Sequence, residues 1–259
     1  MSIDWAEIAG ERLEVLRIAP ERDTPPLVFL HEGLGSVAGW RDFPRAVCDR
    51  LGAPGMVYSR RGYGRSTPLG RPRGTDYLHR EAWDVLPALL DHLGIAAPIL
   101  VGHSDGGSIA LLFAARYSPR AIAIMAPHVF VEDVTIEGIR VAREAWKHGK
   151  LRAPLTRVHD DPDGAFFGWN DGWLDPAFRH WNIEAELPKI RCPVLAIQGI
   201  DDQYGTMQQL DRIAAGVRSP CRLLKLADCG HSPQRDQPQA VIEAIDALYR
   251  QQLGTVNTA

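Results

Sequence analysis

The residues best suited to chemistry lie at 102–106, where the chain reads Gly-His-Ser-Asp-Gly. This G-x-S-x-G pattern is typical of a nucleophile elbow, a sharp turn that carries a reactive serine between a strand and a helix. The surroundings agree, because the apolar residues 98–101 precede the pattern and the small and apolar residues 106–112 follow it. Ser104 is therefore the predicted nucleophile, and glycines on both sides would leave room for the neighbouring strand and helix.

A serine hydroxyl reacts readily only when a base accepts its proton and an acid orients that base. His231 follows an apolar segment that ends at Leu226 and precedes the last helical pattern, so it is the predicted base. A histidine that only caps the last helix is the alternative. Asp201 and Asp202 both follow another apolar segment, and turn chemistry alone does not choose between them as the acid.

Attack on a carbonyl also needs two N–H donors for the oxygen that becomes negative. We expect one from Asp105, directly after the serine, and the other from Gly33 or Leu34, in the loop after the first apolar strand. A glycine-rich turn without chemical consequence is the alternative for that loop. The Asp105 carboxylate would oppose a developing negative charge unless it is paired or points outward.

These residues need a scaffold, and the sequence predicts one by alternating apolar strands and helical patterns. Strands are predicted at 27–30, 55–59, 98–101, 121–125, 192–197 and 222–226, with helical segments between them. Such alternation indicates an α/β fold with a mostly parallel sheet covered by helices on both faces. The rhythm stops near Pro127, so residues 1–127 and 187–259 are predicted as the core domain and 128–186 as an inserted helical cap.

The segment 128–186 is rich in aromatic residues, and some of them are expected to form a substrate pocket. His128 follows a core strand at its carboxyl end, where α/β proteins bind ligands. The predicted pocket residues are His128, Phe130, Trp146, Trp169 and Trp173. Packing within the cap itself is the alternative for its aromatic side chains. His103, at the variable position of the elbow, is expected to point away from the site.

Composition excludes several classes of function. The 259 residues carry a net charge of −3, which provides no basic surface for nucleic acid or an anionic membrane. The first residues show no signal peptide, and no apolar run is long enough to cross a membrane. The four cysteines form no C-x-x-C pair and are interpreted as reduced thiols of a cytoplasmic protein, with neither a metal nor a cofactor expected.

Taken together, five motifs in this order resemble those of the α/β-hydrolase superfamily over nearly the whole chain. They are His31-x-Gly33-x-Gly35-Ser36, Arg61-Gly-x-Gly-x-Ser66, the Ser104 elbow, Gly199-x-x-Asp202 and Gly230-His231. The resemblance implies a Ser104–His231–Asp202 triad, which favours Asp202 over Asp201, and a structural role for the Arg61 motif. The chain departs from the pattern at Glu32, where many members have glycine, so a carboxylate is expected near the pocket mouth.

The leading hypothesis is a cofactor-free serine hydrolase that cleaves a small ester, lactone or related carbonyl compound through an acyl-enzyme. A C–C bond hydrolase or lyase on the same triad stays open. Gly33–Ala38 also fits the G-x-G-x-x-A pattern of an NADP-dependent oxidoreductase, with Arg60 and Arg61 in reach of a 2′-phosphate. A non-catalytic ligand-binding protein on the same fold is the third alternative. The expected partner is a small molecule, and the sequence does not indicate an oligomeric state.

Overall fold

A single twisted sheet organises the computed structural model, which describes residues 2–18, 24–70 and 72–254. Its eight strands lie in the order β1-β2-β4-β3-β5-β6-β7-β8. Their bounds are β1 Ser2–Ile8, β2 Glu11–Ile18, β3 Leu27–Leu30, β4 Gly55–Tyr58, β5 Ile99–His103, β6 Ala121–Met125, β7 Val194–Gly199 and β8 Cys221–Leu226. Strands β3 to β8 pair in parallel, and only β1 and β2 are antiparallel to their neighbours. The predicted mostly parallel sheet is confirmed.

Helices connect the strands and lie in two groups. Those of the sheet domain are α1 Phe43–Leu51, α2 Tyr77–Arg80, α3 Leu86–His92, α4 Asp105–Arg116, α8 Gln208–Gly216, α9 Pro233–Asp236 and α10 Pro238–Gly254. Between β6 and β7 the chain forms α5 Asp133–Lys147, α6 Arg152–Thr156 and α7 Pro162–Leu174, followed by 3-10 turns at Pro176–His180 and Glu184–Lys189. We call residues 133–189 the helical insertion.

The strand side chains alternate between two apolar clusters, one on each face of the sheet. In β3, Val28 packs into a cluster that contains α4 residues, whereas Phe29 packs into a cluster that contains α10 residues. The central strands are buried on both faces because helices cover both. This double burial explains why these strands are short continuous apolar runs in the sequence.

The antiparallel hairpin β1–β2 was not among the predicted elements. Its strands alternate polar and apolar residues, and most side chains of β1 are exposed. The helical segment predicted between β3 and β4 consists of a 3-10 turn at Ala38–Trp40 and then α1, which begins at Phe43 next to Pro44. Among the described helices, none is long and apolar enough to cross a membrane.

Candidate active site

Ser104 lies in the turn between β5 and α4 with a left-handed backbone, at φ 52° and ψ −117°. Its N–H donates a 2.8 Å hydrogen bond to the carbonyl of Met125, which ties the turn to the neighbouring strand. A Cβ on Gly102 would overlap the backbone of Gly106, and a Cβ on Gly106 would overlap the carbonyl of Leu30. The flanking glycines are therefore required by close approach of helix and strand, and the strained serine projects from a rigid turn.

Three side chains from separate loops form one hydrogen-bonded chain at this turn. His231 Nε2 lies 3.0 Å from Ser104 Oγ, and His231 Nδ1 lies 2.8 Å from Asp202 Oδ1. Asp202 follows β7 and His231 follows β8, so both come from the carboxyl ends of strands on one side of β5. This arrangement can move a proton from the serine to the imidazole while the carboxylate orients the ring.

Asp202, and not Asp201, contacts the imidazole. The Asp202 carboxylate is 1% exposed and also accepts hydrogen bonds from the backbone N–H of Tyr204 and from Gln198 Nε2. Burial raises the pKa of Asp202, but the hydrogen bond and charge of His231 outweigh it and hold the pKa below its usual range. The side chain of Asp201 is exposed, although its N–H bonds the carbonyl of Cys229.

His103 is closer to the site than the sequence analysis expected. Instead of pointing away, its buried ring lies beneath the loop of the base, with Nε2 2.7 Å from the carbonyl oxygen of His231. Its other nitrogen, Nδ1, lies 2.9 Å from Gln234 Nε2 and 3.5 Å from Glu32 Oε2. The elbow therefore supports the backbone of His231 as well as its side chain.

The residues expected to supply oxyanion donors lie around one cavity. Asp105 is the first residue of α4, and Gly33 and Leu34 line the same cavity as Ser104. None of these three N–H groups donates a hydrogen bond within the described residues. All three are thus free to bind an oxygen from outside the chain, and the geometry does not choose between Gly33 and Leu34.

Arg60 holds the loop that carries Gly33. Its guanidinium is 2% exposed and donates to the backbone carbonyls of His31 and Glu32. Because the C=O and N–H of a trans peptide point in opposite directions, the bond to Glu32 turns the N–H of Gly33 away from Arg60. Arg61 is likewise engaged, by Glu11 and by the carbonyl of Leu69. Neither arginine is available for the nucleotide phosphate that the oxidoreductase alternative requires.

The Asp105 side chain is paired, which resolves the conflict expected beside an oxyanion. Its carboxylate is buried and accepts a 2.8 Å hydrogen bond from the hydroxyl of Tyr77 and a 3.3 Å bond from Nε1 of Trp173. Arg60 Nη2 adds a positive charge 3.9 Å away. These partners hold the carboxylate and balance its negative charge while its own N–H is free.

A cavity of about 140 Å³ opens at Ser104 between the sheet domain and the helical insertion. Of the predicted pocket residues, His128, Trp169 and Trp173 line it. The expectation is wrong for Phe130 and Trp146. Phe130 pairs with Asn182 in an isolated β-bridge, and Trp146 stacks on Phe166 with 4.2 Å between ring centroids.

Thr135, Ile139 and Tyr204 line the cavity but were not predicted. The first two belong to the buried stripe Thr135, Ile139, Ala142 and Trp146 of α5. Helical spacing could have revealed that stripe, although only its first half reaches the cavity. Glu32, expected near the pocket mouth, also lines the cavity, and its carboxylate lies 3.4 Å from Arg235 Nη2.

Comparison with known proteins finds matches over most of the chain. Residues 27–244 match the model of the alpha/beta hydrolase family. The bifunctional esterase/perhydrolase DCH of Acinetobacter calcoaceticus is 26% identical over 87% of this chain and 92% of its own. Among solved structures, proline iminopeptidase of Mycobacterium smegmatis superposes with a TM-score of 0.80 at 18% identity, covering 98% of this chain and all of that one. The enol-lactonase of Burkholderia xenovorans LB400 gives 0.75 at 20% identity, covering 95% and 99%.

Proposed function

Because this chain belongs to the α/β-hydrolase family, and is a hydrolase of that family, we propose that it cleaves small carboxylic esters or lactones through an acyl-enzyme on Ser104. The observation that carries the proposal is the hydrogen-bonded chain from Ser104 through His231 to Asp202 at the floor of a small cavity. The esterase and lactonase activities named for similar proteins support the same class of substrate.

In the proposed mechanism, Ser104 Oγ attacks the scissile carbonyl while His231 Nε2 accepts the hydroxyl proton. Asp202 holds the ring through Nδ1 and stabilises the imidazolium. The carbonyl oxygen, now negative, binds the N–H of Asp105 and that of Gly33 or Leu34, and one such donor typically contributes about 3 kcal/mol to transition-state stabilisation.

The tetrahedral intermediate collapses when the C–O bond to the leaving group breaks and His231 gives its proton to the departing oxygen. Water then enters, loses a proton to His231 and attacks the acyl carbon. Collapse of this second intermediate releases the carboxylic acid and returns the proton to Ser104 Oγ. No cofactor takes part in the proposed cycle.

The dimensions of the cavity limit the substrate. A cavity of about 140 Å³ is comparable with the dry cavity of roughly 150 Å³ that holds a benzene molecule in another protein. Its wall combines Ile139, Trp169 and Trp173 with a few polar groups. We therefore propose a compact acyl group, and we propose that the helical insertion acts as the cap that limits its length.

The test is kcat/KM for p-nitrophenyl esters of increasing acyl length, with Ser104→Ala as the blank. We expect turnover of acetate and butyrate esters, a steep fall for longer chains, and a loss of several orders of magnitude in the blank. Ile139→Ala, which shortens a side chain of the cavity wall, should extend the accepted length. Equal turnover by Ser104→Ala, or none of any ester by the folded protein, would contradict the proposal.

A further inference from the structure

His128 has a fixed position in the cavity wall and no part in the mechanism above. It follows β6, and its backbone N–H and C=O are both bonded to the hydroxyl of Ser108 in α4. Its ring packs edge-on against Trp173, with 5.1 Å between centroids, and lies 5.9 Å from the ring of His231. The imidazole is thus held at the cavity beside the triad.

The two ring nitrogens of His128 have no hydrogen-bond partner among the residues that the structure describes. His128 is 2% exposed, and Nδ1 is enclosed without a hydrogen-bond partner. Nε2 also makes no hydrogen bond to any described residue, but unlike Nδ1 it is not fully enclosed. Since buried polar groups in native proteins are nearly always paired, an unpaired imidazole in a cavity wall indicates a partner supplied from outside.

The ring is neutral at ordinary pH, which limits what that partner can be. Burial, reinforced by the electrostatic influence of His231, lowers the pKa of His128 to about 3. A buried N–H without an acceptor is rarer in proteins than a buried acceptor without a donor. The enclosed Nδ1 is therefore the unprotonated nitrogen, and the proton belongs on Nε2. A neutral N–H donor in an apolar wall suits a hydroxyl or carbonyl oxygen, because it offers no charge to a carboxylate.

We propose that His128 determines specificity by donating a hydrogen bond from Nε2 to a neutral oxygen of the substrate other than the scissile carbonyl. The preferred substrate is then a hydroxy- or oxo-substituted ester or lactone. This inference rests on the proposed function and adds a substrate class to it. A pocket that holds a polar group for a substrate hydroxyl discriminates against the analogue without it, because the buried group is then left unpaired.

The test uses substrate pairs that differ by one hydroxyl. In the first pair, phenyl lactate carries a hydroxyl on its acyl part and phenyl propionate does not. In the second pair, 2-hydroxyethyl acetate carries a hydroxyl on its alcohol part, where propyl acetate has a methyl group. Each rate is divided by the alkaline hydrolysis rate of the same ester, since a hydroxyl also activates the carbonyl. For at least one pair, we expect the wild-type protein to prefer the hydroxylated member by tenfold or more in kcat/KM.

The variants His128→Leu and His128→Gln separate recognition from packing. We expect His128→Leu to lose the preference, because its kcat/KM for the hydroxylated ester falls at least tenfold more than its kcat/KM for the unsubstituted partner. We expect His128→Gln to keep part of the preference through its amide N–H. A wild-type protein that shows no preference in either pair overturns the proposal, even if neither variant folds. A preference that survives in His128→Leu also overturns it. So does a His128→Leu variant in which kcat/KM falls equally for both members of each pair.

Failure of the proposed function is recognised separately. If no ester of either kind is hydrolysed, the proposed ester hydrolase activity is wrong. If phenyl propionate is hydrolysed through Ser104 but no hydroxyl is preferred, only the role of His128 is wrong.

Discussion

The indole N–H of Trp173 points at the carboxylate of Asp105, with 3.3 Å between Nε1 and Oδ1. This bond joins α7 of the helical insertion to the residue that directly follows Ser104 in α4. The insertion therefore helps to hold the residue whose N–H faces the reacting oxygen in the proposed mechanism. Tyr77 supplies the second short bond to the same carboxylate, at 2.8 Å.

Removal of either partner should weaken both folding and catalysis. We expect Tyr77→Phe and Trp173→Phe each to lower the free energy of unfolding by about 2 kcal/mol, the usual scale for a buried hydrogen bond to a charged group. We also expect kcat/KM to fall about tenfold. The Asp105 carboxylate then has one hydrogen-bond partner fewer, so its negative charge beside the oxyanion is less well balanced. Urea unfolding and ester kinetics measure the two effects.

A double-mutant cycle with Asp105→Asn tests whether these effects act through the carboxylate. In the Asp105→Asn background, Tyr77→Phe should cost much less than in the wild-type protein. Equal costs in both backgrounds would mean that Tyr77 acts through packing alone.

Gly33 should not tolerate a side chain. A Cβ at this position would overlap the indole of Trp169, so Gly33→Ala must displace either that ring or the loop that carries the expected oxyanion donor. We expect kcat/KM to fall about 100-fold, the scale of one lost oxyanion donor. Gly39→Ala, in the 3-10 turn that follows this loop, is the matched control, because its Cβ would meet only Ser36 Oγ at 3.4 Å. Similar kinetics of the two variants would count against the oxyanion assignment.

The choice of acid makes a further prediction. Asp202→Asn leaves the imidazole without a carboxylate on Nδ1, and loss of this orienting charge in other serine hydrolases lowers kcat by about 10,000-fold. Asp201→Asn changes an exposed side chain and should alter kcat less than twofold. Steady-state kinetics with both proteins at matched thermal stability gives the comparison. The reverse ranking would show that the wrong aspartate was assigned.

Acid should destabilise the protein through histidines that are buried in the neutral form. Burial lowers the pKa of His128 to about 3 and that of His31 well below its usual range. The unfolded chain takes up these protons near pH 6.5, so the stabilisation is complete above that pH and is lost as pH falls. Between pH 7.5 and 5, His128 should cost about 2 kcal/mol of unfolding free energy, and His31 should act in the same direction.

Urea titrations over that range check the sign and the size. His128→Gln carries no titratable ring, so it should lose part of the pH dependence. The same slope in His128→Gln and the wild-type protein would show that His128 is not the group responsible.

Much of this site could be predicted because its parts follow strand ends in a fixed order. Buried parallel strands are recognisable as apolar runs, and the loops after β5, β7 and β8 bring Ser104, Asp202 and His231 together at one edge of the sheet. The hairpin β1–β2 escaped prediction because a strand at the edge of a sheet is polar on its exposed side. Its pattern then differs little from that of an ordinary surface segment.

The cavity wall was harder to predict, since aromatic composition does not show which side of a helix faces the cavity. Trp169 and Trp173 lie one helical turn apart on α7 and both reach the cavity, whereas Trp146 lies at the far end of α5 and packs on Phe166. The role of His103 was missed for a related reason. Its partner is a backbone carbonyl 128 residues away, and no local pattern encodes such a contact.

Covalent trapping tests whether Ser104 is the nucleophile. The protein is incubated with a fluorophosphonate, and its intact mass and peptide masses are then measured. We expect one adduct per chain on the peptide that contains Ser104, strongly slowed labelling in His231→Ala, and none at that peptide in Ser104→Ala. A single adduct at another residue, or ester hydrolysis that survives complete labelling of Ser104, would contradict this assignment.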